Sequence, residues 1–128
     1  MYEIYSPIIA LFSLPQNNHF WHMIPSERFT MIQEMLKQNP EDSFLHYAVA
    51  LEFKKHGDLK KAIEMLEELS EKQPDYLATY YQLGKMQEEN AQPEKAINTY
   101  KKGIDLAKTQ NDRKALGELN EALMLLEE

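Results

Sequence analysis

The triplet Lys61-Ala62-Ile63 returns as Lys95-Ala96-Ile97, 34 residues further along. Tyr47 and Tyr81 keep the same offset, as do Pro40 and Pro74. Similar residues also fall in phase: Val49 with Leu83, Ala50 with Gly84, and Leu66 with Tyr100. A period of this length restricts the fold sharply. Each unit is a single supersecondary element that cannot bury its apolar face alone, so successive units must stack to complete a core.

Inside each unit the apolar residues recur at intervals of three and four, the spacing of one helix face. Residues 43–56 carry Phe44, Tyr47, Val49, Ala50, Leu51 and Phe53, and residues 59–72 carry Leu59, Ala62, Ile63, Leu66 and Leu69. Between these runs Gly57 suits a left-handed helix end and Asp58 suits an N-cap. In the second unit the spacing predicts helices over 77–90 and 93–109, with Pro93 at a first helical position. Each unit therefore reads as a two-helix hairpin. Ala50, Gly84, Ala62 and Ala96 carry almost no side chain, which permits close approach of helix axes.

These residues resemble the tetratricopeptide repeat (TPR). Unit one matches its pattern with His46, Val49-Ala50, Phe53, Ala62, Leu66, Leu69 and Pro74. Unit two supplies Tyr80, Leu83-Gly84, Gln87, Ala96, Tyr100 and Gly103, then Lys108 where the family has proline. Gln87 replaces a usual aromatic, and the missing proline should let the last helix of unit two run longer. The resemblance spans residues 27–128 and implies an all-α fold, a TPR-like array of about six helices. A lone helix over 27–38 precedes repeat one (43–76) and repeat two (77–110), and a capping helix follows over 112–127. In that last helix Leu116-Gly117 is read as repeating Leu83-Gly84 at 33 residues. Leu119, Leu123 and Leu126 form its apolar face, and Glu118, Glu121, Glu127 and Glu128 its wet one.

The resemblance also implies a concave groove, lined by the first helix of each repeat, in which partner segments lie. Carried over position by position, that face holds Phe44, Tyr47, Leu51 and Lys55, then Ala78, Tyr81, Lys85, Glu88 and Glu89, then Lys114 and Glu118. The carboxylate clamp of chaperone-binding relatives would need Lys and Asn where this chain has Tyr47, Leu51 and Gln82, so that specificity is not carried over. The function implied is non-enzymatic: a module that binds an unidentified protein or peptide. The alternative is a self-associating protein, a homodimer through the groove or the C-terminal helix.

Composition narrows the chemistry. The net charge of −7 lacks the clustered cations that a nucleic-acid backbone or an anionic membrane surface requires. With no cysteine, thiolate nucleophiles, zinc–thiolate sites and disulfides are excluded, and a cytoplasmic setting is expected. His19-x-x-His22 offers two imidazoles and no third ligand, so neither metal nor cofactor is expected. His46 is expected in the core, and His56 at a helix end where the dipole favours it. Glu64, Glu67, Glu68 and Glu71 share their helix face with Lys60, Lys61 and Lys72 and read as a solvated face rather than an acid–base pair. Residues 1–26, with the apolar stretch Ile4–Leu14 and three prolines, fall outside the repeat and are expected to be a poorly ordered extension.

Overall fold

The computed structural model describes residues 25–128. The expectations for residues 1–24 of the extension and for His19 and His22 lie outside the described residues, and residues 25 and 26, assigned to the extension, instead open the first helix. Six helices follow one another: α1 (Pro25–Gln38), α2 (Ser43–Lys55), α3 (Leu59–Lys72), α4 (Ala78–Glu89), α5 (Pro93–Gln110) and α6 (Arg113–Glu127). Short connections return each helix against its predecessor, so α2 packs on α3, α4 on α5 and α5 on α6. The contacts of α1 with α2 and of α3 with α4 join the hairpins into one stack. None of the described helices is long and apolar enough to cross a membrane.

Helix ends are set by local chemistry. Asp42, Asp58 and Asp112 accept hydrogen bonds from the backbone N–H groups of Leu45 (2.9 Å), Lys61 (3.1 Å) and Ala115 (3.0 Å). Each thus satisfies a donor that the first helical turn leaves without a partner. Pro93 sits in the first turn of α5, where its missing N–H costs nothing. No proline follows at 108, and α5 reaches 18 residues against 14 for α3, until Asn111 turns left-handed at φ 57° and ends it.

The turns inside the two hairpins occupy equivalent positions, Gly57 at φ 87° and Ala91 at φ 58°. Left-handed backbone is free for glycine, but it costs an alanine about 1–2 kcal/mol. Part of that gain would be lost to the extra chain entropy of glycine. Ala91→Gly is therefore expected to stabilise the fold by about 0.5–1 kcal/mol. Thermal melting decides this, and a lower midpoint would mean that the Ala91 turn is unstrained.

The core runs through the stack as three adjoining clusters. Ile32, Leu45 and Val49 join α1 to α2; Ala62, Ile63, Leu66 and Leu69 join α3 to Leu83 and Met86; and Tyr80, Tyr100, Ile104 and Leu119 join α4, α5 and α6. Small residues permit the tightest crossings. A Cβ placed on Gly84 would lie 2.2 Å from the Tyr100 ring, and one on Gly103 would lie 2.7 Å from Tyr80 Cβ. Tyr100 is fully buried, and its hydroxyl donates to Glu88. The Tyr80 hydroxyl donates to the Pro74 carbonyl at 2.6 Å, tying the start of α4 to the preceding turn.

Three expectations are corrected. His46 is only half-buried; its Nε2 lies 2.7 Å from the Pro40 carbonyl, and Leu45 beside it is the fully buried residue. Gly117 has nothing within 4 Å of a would-be Cβ, so Leu116-Gly117 does not repeat the Leu83-Gly84 crossing. The longer α5 delays α6, and register is set instead by the Asp112 cap: Ala115, Leu119 and Ala122 point inward as Thr79, Leu83 and Met86 do in α4. Glu67 is half-buried rather than fully solvated, and it accepts from Gln87 Nε2 at 3.5 Å.

Candidate functional site

A cleft of ≈ 400 Å³ opens along one side of the stack, lined by Tyr47, Leu77, Ala78, Tyr81, Gln82, Asp112, Lys114, Ala115, Glu118 and Leu119. Three helices supply it. Tyr47 comes from α2, Ala78, Tyr81 and Gln82 from α4, and Lys114 and Glu118 from α6. Side chains three and four apart on a helix share a face, which is why Ala78, Tyr81 and Gln82 enter together from one stretch of α4.

Two tyrosines line the cleft, each backed by a second ring. Tyr47 meets Tyr76 edge-on with ring centroids 5.9 Å apart, and Tyr81 meets Tyr100 at 6.5 Å. Both Tyr47 and Tyr81 are half-buried, with one ring edge on the core and the other toward the cleft. Burial pushes the Tyr47 phenol above its ordinary range, and a hydrogen bond with Gln82 offsets part of that rise. Burial likewise raises the phenols of Tyr76 and Tyr80, and raises Tyr100 most, helped by its bond to Glu88. These hydroxyls stay neutral at ordinary pH, so they act as donors and acceptors and not as charges.

Of the residues expected in the groove, Tyr47, Ala78, Tyr81, Lys114 and Glu118 line this cleft. Phe44 instead packs beside Leu45 and Ile32, and Leu51 beside the central cluster. Lys55 pairs with Glu52 at 3.4 Å, Lys85 approaches Glu88 at 3.9 Å, and Glu89 pairs with Lys54 at 3.3 Å, bridging α4 to α2. Glu88 also accepts from the Tyr100 hydroxyl. Sequence reasoning missed Asp112, which caps α6 and also borders the cleft. Among the described residues no group of three metal-ligating side chains comes together.

Among solved structures, the chain is similar to a tetratricopeptide repeat domain protein from Salinibacter ruber. Its solution structure is 43% identical, with a TM-score of 0.67, over 69% of this chain and 89% of that one. A crystal structure of such a protein from the same organism is 42% identical, with a TM-score of 0.65, over 68% and 97% of the respective chains. This chain belongs to the tetratricopeptide repeat family. No protein-family model and no curated protein matches it. The fold is shared more widely: a Bordetella parapertussis protein is 20% identical with a TM-score of 0.66, over 77% of this chain and 85% of that one. MamA from Desulfovibrio magneticus is 24% identical with a TM-score of 0.56, over 80% and 66%.

One TPR position is rebuilt in polar form. Where an aromatic is usual, Gln87 is buried and accepts from the Thr99 hydroxyl at 2.6 Å while its amide reaches Glu67. A single side chain thus links α3, α4 and α5. The arrangement satisfies the buried amide, which would otherwise cost about 1–3 kcal/mol. The polar substitution is a structural tie in this TPR array and lies apart from the cleft.

Proposed function

We propose that this chain is a non-enzymatic interaction module that holds a segment of a partner protein in the cleft between α2, α4 and α6. The observation that carries the reading is the cleft itself: two half-buried tyrosines and the small Ala78 make an apolar floor, and exposed Lys114 and Glu118 stand at its wall. Tyrosines give rigid contact area with a polar tip, the composition found at binding hot spots. A volume of ≈ 400 Å³ suits a few side chains of a bound segment. An apolar or aromatic anchor would rest on Tyr47 and Tyr81, and flanking polar groups would meet Lys114 and Glu118. The absence of cysteine suits a reducing cytoplasmic setting.

The test begins with peptides selected from a display library on the immobilised full chain. Ala78 is exposed at the start of α4, so Ala78→Trp fills the cleft without entering the core. Selected peptides are expected to bind the variant at least about tenfold more weakly, a loss of 1.4 kcal/mol, while its melting point stays put. Undiminished binding would place the partner elsewhere.

A further inference from the structure

In α4, the positions of Tyr80, Gly84, Gln87 and Glu88 meet the next helix of the hairpin. Gly84 and Glu88 touch Tyr100, Gln87 binds Thr99, and the Tyr80 Cβ lies against Gly103. The register set by Asp112 puts Leu116, Asn120, Leu123 and Met124 at the same positions of α6. Met124 is 64% exposed and Asn120 is exposed, while Leu116 and Leu123 are half-buried, packed on the core along one side only. The face extends at both ends with opposite charge. Arg113 begins it and Glu127 closes it, both are exposed, and neither forms an ion pair among the described residues.

Arg113, Leu116, Asn120, Leu123 and Glu127 are spaced three, four, three and four apart, the repeat that keeps a seam facing a partner helix. The seam is self-complementary only when reversed. Two copies laid antiparallel about a two-fold axis close to Asn120 bring Arg113 of each beside Glu127 of the other. They also bring the leucines and Met124 together and oppose the two helix dipoles. A parallel pairing would set like charges together at both ends. Gly117, with open space around it, removes bulk beside the crossing.

We propose that this face of α6 is a homodimer contact, an antiparallel α6 pair between two copies of the chain. It leaves Lys114, Ala115 and Glu118 in the cleft, so self-association and the cleft are separate surfaces. A single helix pair buries little area, so the association is weak and reversible.

Sedimentation of the full chain from about 5 µM to about 500 µM, a range suited to so small an interface, is expected to follow a monomer–dimer equilibrium. Arg113→Glu and Glu127→Arg alone should each weaken it at least about tenfold, and the two together should restore it. The chain has no native cysteine, so introduced thiols report cleanly. Asn120→Cys should oxidise to a linked dimer, whereas Leu125→Cys, exposed about half a turn away from that face, should not. A monomer at every concentration overturns the proposal. So does a dimer indifferent to both single reversals, or equal crosslinking at 120 and 125.

Discussion

Gly84→Leu is expected to lower stability by about 1–3 kcal/mol or more, because overpacking a tight crossing forces side chains off their rotamers. At about 4–8 °C per kcal/mol for a domain of this size, the melting midpoint should fall by roughly 10 °C. Two effects oppose each other here. Replacing a helical glycine normally gains about 1 kcal/mol of helix propensity. At this site even the first added carbon would sit 2.2 Å from the Tyr100 ring. Tyr100 has no room to retreat, since it is fully buried and its hydroxyl is held by Glu88. The clash therefore outweighs the propensity gain. A double-mutant cycle isolates the contact: with Tyr100→Leu in the background, the penalty of Gly84→Ala should shrink substantially. Equal penalties in both backgrounds would remove Tyr100 as the cause.

The hairpins were legible because the signals that define them are local. Apolar residues at three and four, Gly57 and the Asp58 cap each act within about one turn of chain, and the 34-residue period repeats the pattern. The absence of proline at 108 correctly announced a longer α5, and its length is what moves α6 out of the register that Leu116-Gly117 suggested. The period is not rigid: the N-cap at Asp112 sets which residues of α6 face inward.

What stayed hidden depends on three-dimensional packing that spacing alone does not fix. Gln87 was visible as a departure, yet its meaning required Thr99 and Glu67 on two other helices. His46 aligned with a bulky core position, but the imidazole reaches the Pro40 carbonyl and Leu45 takes the interior. Several residues of the expected binding face also carry ion pairs or hydrogen bonds at the surface. Periodicity places Lys55 near Glu52 and Lys85 near Glu88 on one helix face, but it carries no record of Tyr100 and Lys54, the groups on other helices that meet Glu88 and Glu89. Tyr47 and Tyr81 recur in phase, and they enter one cleft because hairpin stacking brings α2 and α4 side by side.

The second large effect concerns those two tyrosines. Tyr47→Ala with Tyr81→Ala is expected to lower the affinity of a cleft-bound peptide at least about tenfold, or 1.4 kcal/mol. Both rings also pack on the core along one edge, so some stability will be lost as well. That loss should stay well below the cost of Leu66→Ala, about 2–5 kcal/mol for a fully buried leucine. The most direct measurement pairs a binding isotherm with a melt on the same samples of the wild type, the double tyrosine variant and Leu66→Ala. The cleft account predicts that the tyrosine variant stays folded and loses binding, while Leu66→Ala loses stability and, below its melting point, still binds. A tyrosine variant that unfolds as readily as Leu66→Ala, or one that remains folded and binds like the wild type, would contradict it.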